Sequence, residues 1–238
     1  MSSWAHRQND FLGLAVAFFA KAIKTGHVRY YILAVFLPLL VLGAVTFGVG
    51  ELILAFPTGE GALSKEIAAG RTPLWNTLTD YGSSLSDTPY IVALTALGIV
   101  VFRLVYRRLR ESVFLLVAVW SQSLIFLATT TPVGRRRPPV EHLDPAPPTS
   151  SFPSGHVSAA VGFYCGVALV LSMRLHNRAL RVVIWVIAGA APLIVAYSRL
   201  YRGMHYLTDV LWGLLLGVCC VVVAARAILY RRERTPSE

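Results

Sequence analysis

Six stretches of this chain stay apolar for about as long as a bilayer is thick: Tyr31 to Phe56, Thr88 to Val105, Ser112 to Thr131, Gly155 to Met173, Val182 to Tyr197 and Leu207 to Tyr230. A hydrocarbon core about 30 Å across needs roughly 20 mostly apolar residues of helix. Inside lipid the backbone must satisfy its own N–H and C=O groups, and runs of this length exceed barrel strands, which leaves helices. The expected fold is therefore all-α, an integral membrane bundle of six transmembrane helices. At 238 residues, with 55% hydrophobic content and a mean hydropathy of +0.61, there is no room for a separate soluble domain. The chain divides into an N-terminal part at 1–30, the six-span domain at 31–230 and a C-terminal tail at 231–238. Within the first part, Asp10 to Lys24 is too short to cross and is expected to lie in the interface as a helix, with Lys21 and Lys24 toward headgroups. No small-residue cleavage site follows Phe11 to Ala20, so a cleavable signal peptide is not expected.

Charge sets the orientation. Lys and Arg near span ends accumulate on the cytoplasmic side. Arg7, Lys21, Lys24, Arg29, Arg103, Arg107, Arg108, Arg110, Arg174, Arg178, Arg181, Arg226, Arg231, Arg232 and Arg234 all fall on the side of the termini, most of the 22 basic residues. Both termini are therefore expected in the cytoplasm. The net charge of +10 is then a topology signal, and with its basic residues dispersed over helix ends the chain is not expected to bind nucleic acid. Cys165, Cys219 and Cys220 sit in apolar runs as small hydrophobic residues, without metal-ligand spacing.

Arginines on the opposite side break this pattern. Apart from Lys65 and Arg71 in the first long loop, Pro57 to Asp87, the basic residues of that face are Arg135, Arg136, Arg137, Arg199 and Arg202, confined to Pro132 to Ser154 and Ser198 to Tyr206. The first loop has periodic apolar positions, Leu74, Leu78 and Tyr81 with Trp75, that suit short helices on the membrane surface. A planar guanidinium can give paired, charge-assisted hydrogen bonds to two phosphate oxygens, so the clustered arginines are candidate phosphate ligands. Ser154 stands where a helix N-cap is expected. Gly155 after it would let a phosphate approach the exposed N–H groups and positive dipole end of the fourth span, with His156 next in line. Ser198, Arg199, His205 and Asp209 bracket the start of the sixth span. His205 and Asp209 are four apart and, if both are helical, share a face. A carboxylate on one imidazole nitrogen would leave the other free to attack. Taken singly, each feature has an ordinary explanation as a helix cap, an ion pair or a solvated loop; ionisable groups at membrane depth are nevertheless costly and point to function.

Together these residues resemble the signature motifs of the type 2 phosphatidic acid phosphatase family. Pro153, Ser154, Gly155 and His156 reproduce the second motif in full, and Ser198, Arg199, His205 and Asp209 the third. Each arises by chance on the order of once per 10⁵ positions or less at ordinary residue usage. Of the first motif Arg137 and Pro138 are present, but Thr130 stands where the family has Lys. The resemblance implies a metal-independent membrane enzyme, without cofactor, in which His205 attacks phosphorus and forms a phosphohistidine and Asp209 orients it. His156 would protonate the leaving oxygen and later activate water. Arg137 and Arg199, with Ser154 and the Gly155 backbone, would hold the phosphate, and Arg135 or Arg136 could replace the missing Lys charge. Glu141, His142 and Asp144 are expected to be solvated loop residues. The implied substrate is a membrane lipid phosphate or diphosphate; outer-face dephosphorylation in a bacterial cell membrane makes a polyprenyl diphosphate carrier the first choice, while the resemblance leaves phosphatidic acid, phosphatidylglycerol phosphate and a polyprenyl phosphosugar open. A phosphotransferase with a hydroxyl acceptor and an inactive lipid-binding or transport protein are the competing functions.

Overall fold

A computed structural model describes residues 27–230 of the protein. The interfacial helix expected at Asp10 to Lys24 and the tail at 231–238 lie outside the described residues. Among those described there is no strand. In chain order the helices are α1 (Arg29–Ala55), α2 (Gly61–Ala69), α3 (Pro73–Ser84), α4 (Thr88–Tyr106), α5 (Arg110–Val133), α6 (Gly155–Ser172), α7 (Arg178–Tyr201) and α8 (Leu207–Leu229). All but α2 and α3 are long and apolar enough to cross a membrane, which makes six, in the order expected.

The boundaries differ from the hydropathy limits for a physical reason. α7 extends beyond Val182 to Tyr197 at both ends, because Asn177 Oδ1 accepts the Leu180 N–H (3.2 Å) and starts the helix before its apolar run. Ser198 and Arg199 consequently belong to the last turns of a helix. α5 ends at Gly134, whose φ of +59° is the left-handed conformation that glycine tolerates, with its N–H on the Thr130 carbonyl (3.3 Å).

The helices pack through small residues. Gly213 and Gly217 lie one turn apart on α8, and a Cβ at either would stand 2.7 Å from the Ser154 carbonyl oxygen or 2.6 Å from Val161 Cβ. Association in lipid rests on close packing, and these glycines let α6 and α8 approach backbone to backbone. Phe114, Leu115 and Ala118 of α5 meet Phe163 and Val170 of α6 and Val221 and Ile228 of α8 in the buried core. α1 lies outside it, showing Phe36, Leu40 and Val41 outward, as a lipid-facing helix would, and reaching inward through Thr46, which receives Trp212 Nε1–H (3.1 Å).

The two long connections, before α4 and before α6, gather at one end. Arg71 in the first links the second to the end of α7, giving hydrogen bonds to the Tyr201 carbonyl (3.0 and 2.8 Å) and to the Glu141 carbonyl (2.8 Å). The short helices expected in the first loop are α2 and α3. α3 leaves Leu74, Trp75, Leu78 and Tyr81 exposed and packs its other face, at Thr79, Gly82 and Ser83, toward α7. At the opposite end the Tyr30 hydroxyl donates to the Ala227 carbonyl (3.2 Å), so the start of α1 and the end of α8 lie together.

Candidate active site

His205 is held by the short turn between α7 and α8. Gly203 turns the chain with φ +74°, in space so tight that a Cβ would meet the Glu141 carbonyl oxygen at 2.9 Å. His205 itself lies before α8, not on it, which corrects the expectation that it shares a helical face with Asp209. The two are nonetheless adjacent, Nδ1 to Oδ2 at 3.8 Å, an ion-pair distance. The hydrogen bond of Nδ1 goes elsewhere, to the Ser151 carbonyl at 2.6 Å. A carbonyl only accepts, so Nδ1 carries the hydrogen and Nε2 presents its lone pair. The ring is 4% exposed. Burial, reinforced by Arg199 and Arg137 and opposed by Asp209, pushes its pKa down to about 4, which keeps the imidazole neutral near pH 7.

Asp209 is completely buried in the first turn of α8, where the helix dipole favours a carboxylate. Its Oδ2 accepts the Tyr206 N–H (2.8 Å), and its Oδ1 accepts from Arg135 Nη1. Arg135 also donates to Thr208 Oγ1 (2.8 Å) and Glu60 Oε2 (3.0 Å) and lies over the Tyr206 ring, 4.3 Å from its centroid. Glu60 completes the network by accepting from the Thr208 backbone N–H (2.9 Å) and hydroxyl (2.7 Å). Arg135, a candidate phosphate ligand in the sequence, is thus engaged behind Asp209 as a partner of two carboxylates. Arg136 is exposed and borders a cleft of about 490 Å³ at the end of α1, which His205, His156 and Arg199 do not line. Thr130 is buried, its hydroxyl 3.5 Å from the Ser150 carbonyl.

The remaining candidates converge differently. Ser154 occupies the N-cap position of α6, but its hydroxyl makes no capping bond; it is fully buried and without a hydrogen-bond partner among the described residues. Its N–H is tied to the Asp209 carbonyl (3.0 Å), which places it beside the start of α8. Arg137 gives Nη1 to the Met204 carbonyl (2.7 Å), immediately before His205, and its Nε is buried and unpartnered. Burial works against its charge and lowers its pKa, with Asp209 opposing. Arg199 gives Nη1 to Ser83 Oγ (2.9 Å) and Asp144 Oδ2 (2.7 Å), and its Nε is likewise unpartnered. Among the described residues, three buried donors without acceptors therefore accompany a neutral imidazole. Unmet donors are costly inside a protein, and an anion would satisfy them.

His156 follows Gly155 in the first turn of α6. Its Nε2 lies 3.2 Å from Asp87 Oδ1. Asp144, expected to be solvated, instead bridges Arg199 and Arg202, with Oδ1 receiving Arg202 Nε at 2.7 Å. His142 turns to the Pro138 carbonyl (3.1 Å). No three His, Cys, Asp or Glu side chains are grouped as metal ligands would be among the described residues. Asp87, Glu60 and the Ser151 carbonyl escaped the sequence reading. Asp87 looks there like an ordinary cap before an apolar run, and Glu60 like a solvated residue between two glycines.

Residues 111–233 match the PAP2 superfamily, over more than half of the chain and across both complete motifs. The chain belongs to the PAP2 superfamily. It is 30% identical over 176 residues to phosphatidylglycerophosphatase B of Bacillus subtilis, covering 69% of this chain and 80% of that protein. A shorter similarity, 31% over 83 residues, covers 35% of this chain and 32% of a lipid A 4'-phosphatase of Porphyromonas gingivalis. Among solved structures, the fold resembles a transmembrane PAP2-type phosphatidylglycerolphosphate phosphatase from Bacillus subtilis (TM-score 0.72, 22% identity, 83% of this chain and 97% of that one). It also resembles LpxE of Aquifex aeolicus (TM-score 0.55, 24% identity, 69% of this chain and 93% of that one). As a PAP2 protein with six spans, it is a membrane lipid phosphatase. The family match starts in α5, so Glu60, Ser83 and Asp87 reach the site from a part of the chain that lies outside it.

Proposed function

We propose that this PAP2 protein hydrolyses a lipid phosphate or diphosphate through a phosphohistidine on His205, at the outer face of the membrane and without a metal. The observation that carries this is the buried set of unpartnered donors, Arg137 Nε, Arg199 Nε and Ser154 Oγ, around an imidazole whose Nδ1 is anchored to a backbone carbonyl. The Nε2 lone pair of His205 attacks phosphorus while the bond to the leaving oxygen breaks. The two arginines, Ser154 and the Gly155 backbone N–H stabilise the charge that builds on the nonbridging oxygens. Asp209, 3.8 Å from Nδ1, offsets the positive charge of the phosphorylated ring, while Ser151 sets its tautomer. Arg135 acts one step back by holding Asp209, and Arg136 is left for headgroup contacts. His156 donates a proton to the leaving oxygen and then takes one from the water that breaks the P–N bond.

The outer-face placement rests on the distribution of basic residues, most of which cluster at the end where α1 begins and α8 stops, opposite α2 and α3. A polyprenyl diphosphate carrier is the first substrate proposed, since its headgroup would reach a site at the helix ends while its tail stays in the bilayer. The similarity to phosphatidylglycerophosphatase B supports phosphatidylglycerol phosphate as the second.

Proteoliposomes containing each lipid, assayed for released phosphate with and without a chelator and vanadate, test the proposal. Expected are chelator-resistant release, inhibition by vanadate and an acid-labile phosphoenzyme absent in His205→Ala. Release surviving in His205→Ala, or strict dependence on a divalent metal, would refute it.

A further inference from the structure

Asp87 stands at the N-cap of α4, where an aspartate ordinarily accepts an N–H from the second or third helical residue. The second is Pro89, which has no N–H, and Asp87 makes no capping bond at all. Its carboxylate is turned instead to His156, with Oδ1 3.2 Å from Nε2, the two side chains being 38% and 28% exposed. Ser86 Oγ donates to the His156 carbonyl at 2.5 Å, so neighbouring residues grip both the ring and the backbone of the same histidine. One turn earlier, Ser83 Oγ receives Arg199 Nη1. A close fit holds the segment in place, since a Cβ at Gly82 would fall 2.3 Å from Ser198 Oγ. Residues 83–87 thus touch both the proposed proton donor and a proposed phosphate ligand.

From this geometry we propose that Asp87 is the positioning residue of His156, accepting its Nε2–H so that Nδ1 is the nitrogen that exchanges protons with the substrate; the assignment rests on the phosphohistidine reading above. In the first step the P–N bond to His205 forms, the P–O bond to the leaving group breaks, and the Nδ1 proton of doubly protonated His156 passes to the leaving oxygen. Neutral His156 keeps its Nε2–H on Asp87. In the second step water attacks phosphorus, its proton returns to Nδ1, the P–N bond breaks, and phosphate leaves with both histidines restored. The Asp87 carboxyl is held below its ordinary range first of all by its hydrogen bond to His156, so it stays ionised throughout. This is the role a buried carboxylate plays toward a catalytic histidine in hydrolytic triads, here supplied by a surface loop.

The test compares leaving groups. A lipid phosphate monoester such as phosphatidylglycerol phosphate expels an alkoxide that needs a proton as it departs, whereas p-nitrophenolate needs almost none, and kcat/KM reports only the first step. In Asp87→Asn, kcat/KM for the lipid phosphate is expected to fall about 10²-fold, and that for p-nitrophenyl phosphate by no more than about threefold. The lipid KM should stay near wild type because both steps slow together, and the phosphoenzyme should accumulate with p-nitrophenyl phosphate, whose first step is spared while its hydrolysis still needs His156. Asp87→Glu, which keeps the carboxylate, should recover much of the lipid activity and serves as the informative variant if Asp87→Asn is not monodisperse in detergent. Equal losses on both substrates, or none on the lipid, would overturn the assignment of Asp87 while leaving the phosphohistidine reading intact, provided His205→Ala is inactive alongside. Turnover in His205→Ala would instead overturn the underlying mechanism.

Discussion

The two ends of this helix bundle both bury charge, but they use it differently. At the end where α1 begins and α8 stops, Arg110 donates to the Ile228 carbonyl (2.6 Å) and to the Leu229 carbonyl, closing the last turn of α8. Arg174 pairs with Glu111 at 2.5 Å and lies over the Tyr106 ring. Basic groups near helix C-termini satisfy carbonyls that have no partner within the helix. Among the described residues, the buried atoms left over there are the carboxylate oxygen Glu111 Oε2 and the Ser172 hydroxyl. At the other end Arg71 performs the same closing role on Tyr201, and Arg135 is consumed by Glu60 and Asp209. Yet Arg137, Arg199 and Ser154 keep buried donors unmatched. Unmatched donors around a neutral imidazole suit an anion, while an unmatched carboxylate oxygen does not. The difference between structural and functional arginine is therefore one of partners, since the residue type is the same throughout.

Substitutions can break that division, beginning with the largest effect. Arg137→Ala is expected to lower kcat/KM for lipid phosphate by about 10² to 10³-fold and to weaken vanadate inhibition, as loss of one transition-state donor typically does. Arg135→Gln should act first on folding. It strands two carboxylates, and unfolding in denaturant and detergent should show a loss of about 3 kcal/mol, against almost none for the exposed Arg136→Gln.

A pH series probes the imidazole that the arginines surround. With its pKa near 4, His205 is neutral above that value and gains a proton, losing its lone pair, only as the pH falls through it. Single-turnover phosphoenzyme formation should then keep about nine tenths of its plateau rate at pH 5, where an unshifted histidine near 6.5 would keep only about 3%. A limb near 6.5 would mean that the ring is far more solvated than its position implies. The smallest effect belongs to the opposite end. Glu111→Gln should leave kcat/KM within about twofold and cost about 1 kcal/mol of stability, because its partner Arg174 is substantially exposed. A tenfold loss of activity there would erase the distinction between the ends.

How much of this was legible in the sequence depends on the range of the interaction involved. The six spans are local properties of composition, and each run carries its own requirement to be helical in lipid. The pairs Ser154 with Gly155 and Ser198 with Arg199, and the neighbours His205 and Asp209, were visible because each lies within a few residues of its companion at a helix end. Even so, spacing misled on detail. His205 lies ahead of the helix, and its Nδ1 finds the carbonyl of Ser151, 54 residues away, in preference to the carboxylate four residues on.

What the sequence by itself determined, then, is the bundle, the end where the chemistry residues collect, and their types. Hydropathy and short motifs act over one element at a time and need no partner to be read. Which arginines remain unsatisfied was decided only by tertiary structure. Arg135 and Arg137 are two positions apart in the same loop and equivalent on paper, but one meets Glu60 and Asp209 across the fold, while the other keeps a buried donor, its Nε, to spare. Asp87 took its place beside His156 in the same way, through the packing of α3 against α7, which carries that loop into the site.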